Sequence, residues 1–240
     1  MSDYALIFDG HDIGAAYAVE RHATRTMGSW EPTLVDVPGR AGSLFAATRR
    51  TPSVVTFDVY AMDETREGRQ ASMRQLAAWL SVDSPRQLVL GDEGGLRRMA
   101  IPTGESVAEA LLNADHAEVT FTCPDPRLWG EHGTATVSTT ATVTVGGTAP
   151  TAPTIRATAA QAGDGGFWLL ADETGAGVYV ELGSGTHAID ADCAARTLAV
   201  DGATVALPPA FDWPTWAAGE HTLTLTGTGA ATVEWDERWW

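Results

Sequence analysis

Residues 117–130 read Ala-Glu-Val-Thr-Phe-Thr-Cys-Pro-Asp-Pro-Arg-Leu-Trp-Gly, and this stretch decides how the chain is divided. Apolar and polar side chains alternate over residues 117–123, which predicts a strand with one apolar face. Pro124 and Pro126 have no backbone N–H group, so neither a strand nor a helix is expected to continue through them. We therefore predict a strand that closes one domain, a rigid exit and a second domain beyond it.

The chain has 240 residues, enough for two domains that each bury a core. After Gly130 the composition changes to Thr, Ala, Val and Gly. We place the boundary there, with an N-terminal domain at residues 1–130 and a C-terminal domain at residues 131–240. The fold class predicted is mainly β, with an α+β first domain that carries one helix and an all-β second domain.

The helix of the first domain is predicted over residues 64–81, with Asp63 or Thr65 as its N-cap. Its inward stripe at helical spacing comprises Met73, Leu76, Ala77 and Leu80. The turn at residues 37–42, Val-Pro-Gly-Arg-Ala-Gly, is followed by a stretch that we expect to be polar. The predicted strands of this domain are Tyr4–Phe8, Val54–Tyr60, Arg86–Leu90, the segment around Met99–Ile101, and residues 117–123.

The second domain is predicted to be a β-sandwich, because short apolar runs recur between Gly, Asp, Thr and Pro. Pro150 and Pro153 indicate an extended segment, and the threonine-rich run 134–148 indicates an edge strand. The predicted strands are Ala141–Val145, Phe167–Leu170, Val178–Leu182, Thr197–Val200, His221–Thr226 and Ala231–Trp235.

The net charge is −16, and every basic residue is Arg. The first 130 residues contain 12 Arg and 18 acidic residues, and the remainder contains 3 Arg and 13 acidic residues. This charge disfavours nucleic-acid binding, and the absence of Lys excludes P-loop nucleotide binding and a PLP Schiff base. No signal peptide or membrane-spanning stretch is visible, so we expect synthesis in a cytoplasm and no membrane insertion.

No pattern predicts an active site, a metal site or a cofactor. The six histidines lack metal-ligand spacing, and no spacing selects a pair of catalytic carboxylates. Asp190 and Asp192 lie on one face of a predicted strand, where they either hold Ca²⁺ or form a solvated strand end or turn. Cys123 and Cys193 are interpreted as two buried thiols. We therefore do not expect an enzyme.

Six of the nine tryptophans lie in the smaller second half. Trp213 and Trp216, on either side of Pro214, are the best candidates for stacking on a saccharide ring. The alternative is that they fill a core or an oligomer interface, as Trp mostly does. The terminal Trp239–Trp240 pair would be a hazard if exposed, so we expect it to dock on its own chain or on a neighbouring subunit.

Several short motifs follow one another along the whole chain. In the first half they are Leu6-Ile7-Phe8-Asp9-Gly10, Val37-Pro38-Gly39-Arg40-Ala41-Gly42, Gln75-Leu76-Ala77-Ala78-Trp79-Leu80, Arg86-Gln87-Leu88-Val89-Leu90 and Phe121-Thr122-Cys123-Pro124-Asp125-Pro126. In the second half they are the segment Gly183–Val200, Ala218-Gly219-Glu220-His221-Thr222-Leu223 and the ending Val233–Trp240. In this order and spacing the motifs resemble the distal tail (Dit) proteins of long-tailed, non-contractile phages, with Ala218 and His221 replacing Pro and Asn in one turn.

This resemblance implies a hexameric ring, single or stacked, at the tip of the phage tail. It implies that the N-terminal domain, a β-sandwich or split barrel with one helix, forms the ring, and that a galectin-like β-sandwich projects outward. The ring would join the tail tube protein to the tip protein that engages the host. Arg40, Trp239 and Trp240 are our candidate ring-contact residues.

Two classes of function remain open. The first is a structural hub in the virion, whose N-terminal domain must oligomerise. The second is a carbohydrate-binding module whose C-terminal domain binds a host cell-wall saccharide. A third, a polysaccharide hydrolase, would require a turnover that an Asp or Glu substitution abolishes.

Overall fold

The computed structural model describes residues 4–21, 28–103 and 116–240, and the chain forms two compact units. One unit is Met1–Leu128 with Trp240, and the other is Trp129–Trp239. The elements up to Cys123 are β1 (Leu6–Phe8), β2 (His11–Asp12), α1 (Ile13–Ala16), β3 (Ala18–Arg21), β4 (Trp30–Asp36), β5 (Ser43–Arg50), β6 (Ser53–Tyr60), α2 (Arg66–Leu80), β7 (Arg86–Leu90), β8 (Arg97–Thr103) and β9 (His116–Cys123).

The strands after Cys123 are β10 (Leu128–Val137), β11 (Thr140–Val145), β12 (Thr154–Gln161), β13 (Gly166–Ala171), β14 (Gly177–Leu182), β15 (Gly185–Asp192), β16 (Thr197–Val200), β17 (Ala203–Val205), β18 (Gly219–Thr226) and β19 (Gly229–Trp239). β9 ends at Cys123 and β10 begins at Leu128, which confirms that no strand continues through Pro124 and Pro126. The predicted division between residues 130 and 131 falls inside β10.

In the described part of the first unit, seven strands pair antiparallel in the order β2-β1-β7-β8-β9-β6-β3. β6 and β9 pair along their full length, from Ser53 opposite Cys123 to Tyr60 opposite His116. Alternate side chains of β6 are buried, because the strand presents one face to the core. Phe8, Phe57 and Phe121 are all fully buried there, and the Phe121 ring contacts the other two.

Helix α2 covers this core through Leu76, which is fully buried, and through the half-buried Met73, Trp79 and Leu80. Ala77, which we predicted on the inward stripe, is exposed. Its place is taken by Trp79, whose large ring reaches the core from the side of the stripe. The Thr65 hydroxyl caps the helix by accepting from the Gly68 N–H at 3.1 Å, and Asp63 in turn accepts from Thr65.

A buried ion pair fixes the turn between β7 and β8 to the start of β6. The Arg98 Nη2 group donates to Glu93 Oε1 at 2.7 Å, and Arg98 Nη1 donates to Ser53 Oγ at 3.2 Å. Both charged side chains are almost fully buried. Cys123 lies beside this cluster, and burial raises the pKa of its thiol. The thiol is therefore protonated and acts as a small core residue.

The second unit is a sandwich of two antiparallel sheets, in the orders β17-β16-β15-β12-β19-β10 and β11-β18-β13-β14. Alternate residues of both sheets meet in one core around Trp168, Ile189 and Val233. Cys193 is buried in it, and desolvation raises the pKa of its thiol to about 12. The predicted fold class is confirmed for both units.

Each strand that the sequence predicted is present, with ends shifted by a few residues. The sequence did not predict β2, α1, β3, β4, β5, β12 or β17, and β10 begins before the threonine-rich run that was predicted as an edge strand. β12 reads Thr-Ile-Arg-Ala-Thr-Ala-Ala-Gln, so most of its core-facing positions are Ala. Alanine differs little in hydrophobicity from the Thr and Ala on the other face, so the strand shows no clear alternation.

Candidate assembly interface

Strands β4 and β5 form a hairpin that stands apart from the larger sheets. They pair antiparallel from Trp30 opposite Arg50 to Asp36 opposite Ser43, with an irregularity after Thr33. Among the described strands, these two pair only with each other. A two-stranded hairpin alone is at best marginally stable in water, so this hairpin needs a further surface against it.

Large apolar side chains cover the hairpin and are exposed. The exposed fractions are 65% for Phe45, 58% for Trp30 and 57% for Leu34. Leu34 lies opposite Phe45, and the next pair along the strands is Val35 opposite Leu44. Because successive pairs lie on opposite faces, the hairpin is apolar on both faces near its turn. Exposed apolar patches of this kind mark protein interaction sites.

Polar contacts keep the two strands in register. Glu31 Oε2 accepts from the Arg49 Nε group at 2.8 Å, and Asp36 Oδ1 accepts from the Ser43 hydroxyl at 2.6 Å. At the turn, the Arg40 N–H donates to the Val37 carbonyl at 3.2 Å. The candidate ring-contact residue Arg40 thus lies at the exposed tip of the hairpin.

The other end of the hairpin carries a second candidate ring-contact residue. The Arg50 guanidinium lies over the Trp30 ring at 4.1 Å and over the Trp240 ring at 4.6 Å. Trp240, which belongs to the first unit, is still 44% exposed. Trp239 belongs to the second unit and is half-buried, and a Cβ at Gly130 would lie 2.8 Å from its Nε1 atom. Arg40 and Trp240 therefore lie at opposite ends of the hairpin.

The two tryptophans considered for saccharide contact are both part of a core. Trp216 is 1% exposed and stacks on His221, with the Trp235 ring edge-on against it. Trp213 is half-buried and packs against the same core. The Trp216 ring therefore offers no free aromatic face of the kind on which a sugar ring stacks.

The remaining polar candidates do not converge on a reactive centre. Asp190 lies 3.8 Å from the Arg156 Nε atom, and the Asp192 carboxylate accepts from the Ala195 N–H at the end of β15. Within the described ranges, no three His, Cys, Asp or Glu residues could hold a metal ion together, and His22 lies outside those ranges. None of the described helices is long and apolar enough to cross a membrane.

Comparisons with known proteins match both units. A family model described as "Siphovirus-type tail component, C-terminal domain" matches residues 146–239. A second, "Phage tail protein RIFT-related domain", matches residues 17–123. The chain belongs to the distal tail (Dit) protein family of long-tailed, non-contractile phages.

Solved structures share the fold of this distal tail protein. The crystal structure of phage SPP1 Dit (gp 19.1), described as a paradigm of the hub adsorption apparatus in phages that infect Gram-positive hosts, has a TM-score of 0.71, with 18% identity over 98% of each chain. A chain of the phage P2 baseplate in its activated conformation with Ca has a TM-score of 0.50, with 9% identity over 98% of this chain and 97% of that one. No curated protein matches the chain in sequence.

Membership of this family makes the chain a structural component of a phage tail, and hence of the virion. Sequence reasoning identified the hairpin turn at residues 37–42 but missed the strands on either side of it. The sequence does carry a signal for these two strands, because Leu34 and Val35 precede the Pro-Gly turn and Leu44 and Phe45 follow it.

Proposed function

We propose that this distal tail protein forms a hexameric ring, single or stacked, at the tail tip. The ring would join the tail tube protein to the tip and host-recognition proteins, and it would have no enzymatic activity. The protein would be synthesised in the cytoplasm of the bacterial host and assembled into the virion there. The observation that supports this proposal most is the β4–β5 hairpin, whose apolar side chains are exposed on both faces.

A ring follows from a hairpin that docks on a different surface of the next subunit. Such a head-to-tail contact repeats around one axis and closes when the rotation between subunits allows it. We assign ring formation to the N-terminal domain, residues 1–130, with Arg40 at the tip of the hairpin and Trp240 at its base. The C-terminal domain, residues 131–240, would be the galectin-like sandwich and would contact other components, with Trp239 near its boundary.

Saccharide binding through Trp213 and Trp216 receives no support from the geometry. Stacking on a sugar requires an exposed aromatic face, and the Trp216 ring is enclosed by His221 and Trp235. The hub proposal does not depend on that pair, because its contacts lie on the hairpin.

The test is the solution mass of the full chain, measured by size-exclusion chromatography with light scattering over a concentration series. We expect the wild-type protein to reach the mass of a hexamer or of two stacked hexamers, and Phe45→Ser to remain a monomer at the same concentrations. Phe167→Ser is the matched control, because Phe167 is also an exposed phenylalanine but lies on β13. A wild-type chain that stays monomeric at high concentration, or an oligomer that Phe45→Ser leaves intact, would overturn the proposal.

A further inference from the structure

A groove of about 330 Å³ lies on the outer face of the six-stranded sheet in the second unit. Strands β12, β15, β16 and β17 form its floor. The side chains that line it are mostly polar, namely Thr154, Arg156, Asp190, Asp192, Thr197 and Thr204. Its size is near the lower end of the range for sites that bind small molecules, which suits one or two sugar units.

Strand pairing fixes the positions of these side chains. Arg156 lies opposite Asp190, and Thr154 lies opposite Asp192. Between them, Ile155 and Ala191 alternate into the core and are buried. Because paired strands with a packed opposite face are rigid, the backbone positions that carry these polar groups are fixed before any ligand arrives.

The charges around the groove disfavour an anionic ligand. Arg156 Nη1 donates to Glu234 Oε2 at 2.8 Å, and its Nε atom is 3.8 Å from Asp190 Oδ1. Asp192 also lines the groove, so three carboxylates stand against one guanidinium and a phosphate or sulfate would be repelled. The described residues offer no cluster that could hold a metal ion, which disfavours a bound metal cation.

Hydrogen-bond donors and hydrogen-bond acceptors both remain available in the groove. Among the contacts of the described residues, the Nη2 group of Arg156 has no partner. The Asp190 carboxylate is too far from Arg156 for a hydrogen bond and can accept one from a ligand. The Thr204 hydroxyl, two strands away, can donate or accept. Adjacent hydroxyls of a sugar, each of which both donates and accepts, match this set.

We propose that this groove binds a neutral saccharide, with Arg156, Asp190 and Thr204 as its hydrogen-bonding residues. The site is separate from Trp213 and Trp216, and its ligand is held by hydrogen bonds rather than by ring stacking. The proposal does not depend on the ring, because all of these residues belong to one compact unit of one chain.

The test is saturation-transfer-difference NMR on the full chain. The probes are neutral mono- and disaccharides of glucose, galactose, rhamnose and N-acetylglucosamine, with glucuronic acid and spermine as charged probes. We expect at least one neutral saccharide to bind, and neither charged probe to bind more tightly. Arg156→Ala is expected to weaken binding at least tenfold, and Thr204→Val severalfold. Thr142→Val, an exposed strand threonine on the other sheet, is the matched control and is expected to change nothing.

Three results would overturn the proposal. One is the absence of binding for every neutral saccharide at about 10 mM, a concentration that detects even weak sites. Another is tighter binding of glucuronic acid or spermine. The third is unchanged affinity in both Arg156→Ala and Thr204→Val, after thermal unfolding has shown that the variants are folded.

Discussion

Two neighbouring segments of the first unit, β6 and the β4–β5 hairpin, contain similar apolar residues in opposite surroundings. In β6, Val55, Phe57 and Val59 are buried under the helix-covered core. In the hairpin, Leu34 and Phe45 face solvent although they are as apolar. An apolar strand pattern therefore predicts that the strand packs against another surface, but it does not show whether that surface belongs to the same chain.

The same contrast holds for charge pairs. Arg98 and Glu93 form an ion pair that is almost fully buried beside β6. Arg49 and Glu31 form a pair of similar geometry on the hairpin, at 2.7 Å, with both side chains largely exposed. Water and salt screen the exposed pair, whereas the buried pair has no substitute for its partner. The two regions thus allow each interaction to be tested in a matched pair.

The largest expected effect separates the two phenylalanines. Phe57→Ala should lower the free energy of unfolding by about 3–5 kcal/mol, because it removes a fully buried ring and leaves a cavity. Phe45→Ala should change it by no more than about 0.5 kcal/mol in the monomer, because its ring is already in water. Urea unfolding at a concentration where both variants are monomeric measures the two values. Equal losses would mean that the hairpin packs on its own chain.

Removing one acidic partner from each ion pair gives the next comparison. Glu93→Gln leaves the Arg98 guanidinium buried without a counter-charge, which typically costs about 3–5 kcal/mol. Glu31→Gln removes an exposed partner and should cost less than about 1 kcal/mol. Urea unfolding in low and high salt measures both, and only the smaller loss should depend on salt. A loss below about 1 kcal/mol for Glu93→Gln would contradict the burial of that pair.

The smallest effect is a pH dependence confined to the second unit. His187 Nδ1 lies 2.7 Å from Asp201 Oδ2, and this hydrogen bond raises the pKa of His187 and lowers the pKa of Asp201. The contribution of His187 to the free energy of unfolding is complete below its unfolded pKa of about 6.5, and it is lost as the pH rises through its pKa in the folded protein. The contribution of Asp201 to the free energy of unfolding is present above its unfolded pKa of about 3.9, and it is lost as the pH falls through its pKa in the folded protein.

Wild-type protein should therefore gain most in Tm over His187→Gln between about pH 4 and pH 6.5, and the gain should shrink toward pH 8. Differential scanning calorimetry of both proteins measures it. The hairpin contains no histidine, so His187→Gln should leave the pH dependence of the oligomer mass unchanged. A constant Tm difference from pH 5 to about pH 8 would contradict the role of the pair.

The sequence was sufficient to predict strands whose core-facing positions carry large apolar side chains. Alternation predicted β6 and β9, and the two prolines after Cys123 predicted where β9 ends. The hairpin was missed because its apolar runs, Leu34-Val35 and Leu44-Phe45, are too short to show the alternation of a strand. The burial of Trp216 could not be predicted, since a Trp near Pro in a turn-like stretch looks the same in sequence whether it is exposed or enclosed.

The groove around Arg156 was beyond prediction for a different reason. Asp190 was recognised as a strand residue with its side chain in solvent, but its neighbour Arg156 is distant in sequence and lies in a strand that was not predicted. Only the register of β12 with β15 brings them together. A site built from side chains of several strands depends on pairing that local patterns do not specify.

The central claim is that the β4–β5 hairpin is covered by another subunit, and cryo-electron microscopy of the purified protein tests it most directly. We predict sixfold rings in which Leu34 and Phe45 of each subunit are buried against the next one. Isolated monomers at the concentrations used for assembly, or rings in which the hairpin remains in solvent, would contradict it.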